Sequence, residues 1–321
     1  TILRPPHPLA QRLGVHYHLT VLTSLPKTLA FTTTPGASGT DFIGTESVDA
    51  LFVLNATGTI SVQAKGGNDN VDLTNETGVV GNADVKLGEG ADTFTTGLND
   101  TNNNRLLDSI VRGGKGNDNI TTEGALSSTI KGNEGDDDFF LVSNYTNTTF
   151  NGNQDQDSFT LNTDVTLSDS KISGGKGNDG QIDFNNTGFT LLAVDSVVQG
   201  GEGLDTITIG RLHSSTSGFR VSGGKDNDTI NILNTNSEAD GVAYNGADGD
   251  DSINFTTNAG DAISKGGNGN DVFSLAGSGK VEAFGEAGND SFTFEAGLSS
   301  ESTVTGGEGA DSYSFATPEK A

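Results

Sequence analysis

Aspartate is the residue type whose spacing in this chain could do chemistry. An Asp closes a glycine-rich hexapeptide about every 22 residues from Asp41 to Asp311. The clearest copies are Gly113-Gly114-Lys115-Gly116-Asn117-Asp118, Gly174-Gly175-Lys176-Gly177-Asn178-Asp179, Gly200-Gly201-Glu202-Gly203-Leu204-Asp205, Gly266-Gly267-Asn268-Gly269-Asn270-Asp271 and Gly306-Gly307-Glu308-Gly309-Ala310-Asp311. Weaker copies end at Asp41, Asp69, Asp92, Asp137, Asp157, Asp228, Asp251 and Asp290. Glycine permits the positive φ of a tight corner, and the Asp sets a carboxylate at the end of that corner. If successive copies stack in register, the carboxylates form a column with steps of ~4.8 Å. Like charges that close in a partly desolvated groove repel strongly and call for neutralisation. Calcium suits the task, because it takes 6–8 oxygens at about 2.3–2.6 Å from carboxylates and carbonyls. The bland alternative is an acidic surface that merely holds water. The fixed phase of the acids, and the preference for Asp over Glu at the turns, favour the cation.

The elements that must position these acids follow from the residues around them. Two residues after the Asp the side chain is apolar, as at Ile43, Val71, Phe94, Ile120, Phe139, Phe159, Ile207, Ile230, Ile253, Phe273, Phe292 and Tyr313. Gln181 breaks the pattern, and Ile182 with Phe184 marks a one-residue slip after Gly180. Apolar residues often return two positions further on, which is the signature of a short strand with one buried face. A second apolar position precedes each glycine turn, as at Val111, Ile130, Phe150, Ile172, Val198, Val221, Tyr244, Ile263 and Val304. Each repeat therefore reads as strand, variable turn, strand, glycine turn, with no helix. A fixed period of this size marks a solenoid, in which each coil buries its apolar residues against its neighbours. The expected fold is an all-β parallel β-solenoid of about 12–13 coils, roughly 60 Å long at the spacing of paired strands.

The hexapeptide and the strand after it resemble the Gly-Gly-x-Gly-x-Asp-x-apolar-x repeat of RTX proteins, which form calcium-bound parallel β-rolls. The resemblance extends over residues 36–321. It implies calcium bound between successive turns by loop Asp side chains and loop carbonyls. Matched by motif position, the ligands would be Asp92, Asp118, Asp137, Asp157, Asp179, Asp205, Asp228, Asp251, Asp271, Asp290 and Asp311. The chain departs from the family in carrying one motif per coil, on a longer coil, so one calcium column is expected instead of two. Some loops look degraded: Gly66-Gly67-Asn68-Asp69 reads as two residues short, Gly152-Asn153-Gln154-Asp155-Gln156-Asp157 has lost two glycines, and Asp226 replaces the third glycine before Asp228.

Composition narrows the function. The 321 residues hold 43 Asp and Glu against 17 Lys and Arg, a formal charge of −26. Such a surface disfavours nucleic acid and favours divalent cations. Filling most of the gaps between coils with Ca²⁺ would nearly cancel the charge. There is no Cys, Met or Trp, so disulfides, thiolate metal sites and thiol catalysis are excluded. No apolar run approaches the ~18 residues of a membrane span. Residues 1–35 differ from the rest. They carry no Asp or Glu, the basic Arg4, Arg12 and Lys27, five of the six prolines and three of the four histidines. They read as an irregular N-terminal arm or cap ahead of a repeat domain at 36–321.

Catalysis is not expected. His213 is the one His in the repeats, and no nucleophile-base set assembles around it. Arg211 and Arg220 could bind a uronic acid if the chain were a repeat module of a polysaccharide lyase or epimerase. The small polar positions Thr95, Thr121, Thr160, Thr208, Asn231, Asn254, Ser274, Thr293 and Ser314 would stack as a flat ladder, either plain solvent-facing strand or a face for ice, glycan or another rod. The expected role is a non-catalytic, calcium-binding, extracellular structural or adhesive element, such as a surface-layer or filament subunit. Self-association would run through the arm and the solenoid ends, with a glycan as a further candidate partner. The alternative is a virion fibre or capsid decoration.

Overall fold

The computed structural model describes residues 32–36, 39–52, 59–73, 79–96, 105–185, 188–234, 242–256, 261–277, 279–295 and 297–316. Residues 1–31 of the expected arm lie outside the described residues. The fold is the expected one, an all-β parallel solenoid with no helix among the described residues. One sheet has 14 strands. It begins with Thr32–Gly36, which pairs antiparallel with Gly39–Ile43. From there every step is parallel, through Thr59–Gly66, Ala83–Glu89 and Ile110–Lys115 to Thr303–Glu308. These strands enter the glycine turn. The strands that leave it, such as Asn119–Leu126, Thr206–Arg211 and Ser312–Phe315, form a second parallel stack. The longer coils add a third side, where Val79–Gly81, Arg105–Leu107, Val165–Ser168 and Leu191–Val194 fill what the sequence shows only as a variable turn.

Alternation decides which residues enter the core. In Ile110–Lys115, Val111 and Gly113 point inward, while Ile110 and Lys115 point to solvent. After the turn, Asp118, Ile120 and Thr122 point inward. The inner residues stack on their counterparts above and below, as in the parallel ring stacks Phe139 on Phe159 (4.5 Å) and Phe273 on Phe292 (4.7 Å). The slip at Gln181 is present: Gln181 is exposed, Ile182 and Phe184 are buried, and Ile182 stacks in register on Phe159.

Three expectations are corrected. The first turn ends at Asp49, not Asp41. Asp41 lies within the strand Gly39–Ile43, and the buried residue two beyond the turn is Leu51, with Ile43 only half-buried. Ile263 faces solvent, and Ser264 takes the inner place opposite Tyr244. Alternation counts back from the first glycine, Gly266, and Ile263 falls on the wrong parity. The turn ending at Asp69 is full length. Register pairs Lys65 with Gly88 and Gly66 with Glu89, so Ala64 and Lys65 stand where other coils have their first two glycines.

The second and fourth positions of the hexapeptide have positive φ in coil after coil, as at Gly201 (138°) and Gly203 (128°). A Cβ on Gly201 would lie 2.0 Å from the Gly175 carbonyl oxygen of the previous coil. Asn and Asp stand in at these corners with φ between 72° and 94°, at Asn133, Asn153, Asp155 and Asp226, as residues that tolerate the left-handed region. Ala247 at 92° has no such excuse. Gly201→Ala is therefore expected to destabilise the solenoid by several kcal/mol, since backbone clash adds to a left-handed penalty of about 1–2 kcal/mol. Ala247→Gly is expected to stabilise it by about 1 kcal/mol. Urea midpoints of the two variants would show the opposite signs.

Candidate metal centre

Each glycine turn delivers its Asp to the interior because the sixth position has inward parity. From Asp49 to Asp290 these aspartates are at most 2% exposed. They form one continuous ladder. The backbone N–H of Asp118 donates to Oδ1 of Asp137 at 2.8 Å, that of Asp137 to Asp157 at 3.0 Å, and that of Asp157 to Asp179 at 2.8 Å. The pattern runs from Asp49 through to Asp311, where the last bond is 3.1 Å. All eleven expected ligands, Asp92 through Asp311, belong to it. Asp69 and Asp49 extend it toward the N-terminus.

The second carboxylate oxygen is the telling one. Oδ2 is buried and without a hydrogen-bond partner at Asp69, Asp92, Asp118, Asp137, Asp157, Asp179, Asp205, Asp228, Asp251, Asp271 and Asp290. One orphaned acceptor is costly, so the same orphan in successive coils calls for a physical explanation. Its surroundings are oxygen-rich. Where a Cβ on Gly152 would stand, Oδ2 of Asp157 lies at 1.9 Å and the Gly174 carbonyl oxygen of the next coil at 2.5 Å. The same pair flanks Gly174 at 1.9 and 2.8 Å and Gly266 at 2.0 and 2.7 Å. Glycine at the first position thus keeps open a cradle in which a carboxylate and a carbonyl from adjacent coils converge. A hard cation fits this donor set. Among the described residues, no three His, Asp or Glu side chains form a cage of their own. A calcium ion here would draw on the ladder aspartates, on glycine-corner carbonyls and on water.

The opposite corner of the longer coils serves as an internal control. There the chain uses hydroxyls: Ser109, Ser128, Thr148, Ser170 and Ser196, each at most 3% exposed. The Ser170 hydroxyl donates to the Ser168 carbonyl at 2.8 Å and accepts from the Thr148 N–H at 3.1 Å. Ser109 and Ser128 repeat that scheme. A neutral side chain thus closes a corner with no orphan left. The glycine corner could have done the same and instead carries a half-satisfied carboxylate in each coil from Asp69 to Asp290. Ser170→Ala strands the buried Thr148 N–H and is expected to cost about 1–3 kcal/mol, with no change in any metal affinity, as calorimetry on the variant would record.

Electrostatics point the same way. Burial, partly offset by the hydrogen bond from the preceding coil, pushes the carboxyl of Asp157 up to about 9, Asp118 and Asp228 to about 8, and Asp69, Asp137, Asp179 and Asp271 to about 7. Asp205 and Asp251 rise to about 6, and Asp92 and Asp290 also move up. Neighbouring ladder aspartates add to the rise at Asp118, Asp157, Asp228 and Asp271. Near neutral pH the most strongly shifted of these acids, Asp118, Asp157 and Asp228, would hold protons unless a cation takes their place.

Where an Asn precedes the Asp, its side chain bonds to the next coil as a second set of contacts. The side-chain oxygen of Asn178 accepts from the Leu204 N–H at 2.9 Å, Asn227 from Asp250 at 2.9 Å, and Asn270 from Asn289 at 2.9 Å. The signal is present in the Asn-Asp pairs that end at Asp69, Asp118, Asp179, Asp228, Asp271 and Asp290, each of which puts a neutral acceptor beside the acid on the solvent side. Other candidate residues are dispersed. Arg211 ends a strand leaving the turn, and Arg220 starts a strand entering it, in the other sheet. His213 is exposed and accepts from the Ser215 N–H through Nδ1. The small polar residues do align outward in register, Thr208, Asn231, Asn254, Ser274, Thr293 and Ser314 in succession.

No family model matches this chain, and no curated protein matches it. Two solved chains do. One is described as a hyperactive, Ca²⁺-dependent, β-helical antifreeze protein from an Antarctic bacterium, with 21% identity, 89% of this chain and 88% of that one covered, and a TM-score of 0.46.

Proposed function

We propose that this protein is a non-catalytic, calcium-binding β-solenoid of RTX-like type that works as an extracellular structural or adhesive element. The observation that carries the reading is the orphaned Oδ2 of the glycine corners from Asp118 to Asp290, set beside a next-coil carbonyl at Asp118, Asp157, Asp179, Asp251, Asp271 and Asp290, while the hydroxyl corner opposite leaves no orphan. Calcium bound there would supply positive charge and oxygen coordination between coils. The chain's own residues do the rest: glycines hold the corner open, the ladder N–H groups fix Oδ1, and stacked apolar residues set the spacing. Rigidity fits a structural part, because each coil touches only its neighbours and a rod results. Self-association through the solenoid ends is part of the same proposal. A virion fibre or capsid decoration is the second reading, since a rigid rod suits both.

Far-UV circular dichroism during calcium titration of chelator-treated protein, with bound metal counted, tests the reading. A gain of β signal that saturates at roughly ten ions per chain is the expected result. An unchanged spectrum with no ion bound would remove calcium from the account and leave only the solenoid. Electron microscopy of cells and of phage preparations would separate a surface filament from a virion part.

A further inference from the structure

The first hexapeptide position is not glycine in every coil. Register aligns Gly44, Ala64, Leu87, Gly113 and Gly132 in one inward-facing column. From Gly113 onward the column is glycine at Gly152, Gly174 and through to Gly306. Ala64 and Leu87 are both fully buried, and the Leu87 side chain belongs to the apolar core with Val85 and Leu106. Around Gly113, a Cβ would lie 2.1 Å from Oδ2 of Asp118 and 2.7 Å from the Gly132 carbonyl oxygen. A methyl at Ala64 and an isobutyl group at Leu87 occupy that same place in their own coils. Asp69 and Asp92 share the buried ladder and the orphaned Oδ2, so the carboxylate does not distinguish these coils, whereas the filled cradle does. One coil further back, at Asp49, Gly44 is retained, but Oδ2 already accepts from the Thr45 N–H at 2.5 Å and from the Thr45 hydroxyl at 3.0 Å.

We propose that the cation column is interrupted: the cradles of Asp69 and Asp92 hold no calcium, and the continuous metal column begins at the Gly113–Asp118 turn. The inference rests on the calcium reading above. It removes Asp92 from the ligands implied by its motif. It also divides the rod by what stabilises it. Coils 59–96 are closed by apolar side chains and keep their structure in chelator, and coils from Gly113 onward depend on the ion. The chelator-stable coils then offer a paired edge, Ala83–Glu89, on which the next coil can add when calcium arrives.

Two measurements on the full chain test this. Hydrogen exchange with and without calcium should show calcium-induced slowing from residue 110 onward and none in 59–89. Native mass spectrometry of the calcium-loaded protein should show one more bound ion in Leu87→Gly than in the unmodified chain. Calcium binding with slowing spread evenly through 59–89 would overturn the interruption while leaving the calcium reading intact, and so would an unchanged ion count in a folded Leu87→Gly. Absence of calcium binding anywhere would remove the reading on which both rest. If Leu87→Gly loses the N-terminal coils, the exchange pattern of the unmodified chain still decides.

Discussion

Chelator-treated protein is expected to be most stable near pH 4 and to lose stability steadily as the pH rises to 9, the reverse of ordinary acid denaturation. The sign follows from the direction of the shifts. The folded-state carboxyls of Asp118, Asp157, Asp179, Asp228 and Asp271 sit at about 7 to 9, above the 3.8 of a free Asp. Between those values the folded chain binds more protons than the unfolded one, so stability falls with rising pH. The stabilisation is fully present below about pH 4, declines as the pH rises above it, and is gone once the pH has passed through the folded-state values of about 7 to 9. Calcium replaces the proton. Each ion at a hundredfold excess over its dissociation constant adds about 2.7 kcal/mol, so a few ions match the whole stability of a typical domain, about 5–15 kcal/mol. At pH 8 calcium should therefore decide whether the glycine-column coils are folded at all. At pH 7 its addition should release protons, which a weakly buffered titration would detect. Stability in chelator that climbs from pH 4 to 8 would show that the buried acids are ionised and satisfied without metal.

The fold was legible because its two signals are periodic and local. A glycine corner every coil and an apolar residue two beyond its Asp leave little freedom, and even the slip at Gln181 could be read from Ile182 and Phe184. What escaped depended on register. Ile263 lies beside Ser264, and apolarity alone chose the wrong one; only counting parity from Gly266 puts Ser264 inside. Gly36 and Gly39 make Asp41 look like the end of a turn, while the true turn at Asp49 carries Thr45 and Ser47 in place of its second and third glycines. The turn at Asp69 looks two residues short for the converse reason: Lys65 adopts a φ of 85° where glycine is usual. The third side of the longer coils was invisible, because residues such as Val165 and Leu167 recur in only part of the chain. The ligand aspartates were found from their phase. The orphaned oxygen that makes them interesting, and the hydroxyl corner that makes it informative, are relations between coils.

Those relations give the second large effect. Asp179→Asn and Asp271→Asn are expected to move stability in opposite directions with and without calcium. The amide oxygen can keep the ladder bond, accepting from the backbone N–H of Asp157 or Asp251 as Oδ1 does now. The amide nitrogen then faces the next-coil carbonyl of Gly200 or Gly285, where the carboxylate leaves a buried acceptor against an acceptor. In chelator at pH 8 the exchange removes a buried charge and supplies a donor, so each variant should melt several degrees higher than the unmodified chain, about 1–3 kcal/mol per satisfied group. In calcium the same variant loses a charged ligand and at least one bound ion, and should melt lower. Asp→Ala at either position removes the ladder acceptor as well and should destabilise under both conditions. Were Asp179→Asn neutral in chelator and in calcium alike, the ladder would be a plain solvated column. The crossing of the two melting curves is thus a property of the metal site itself, which no general loss of packing reproduces.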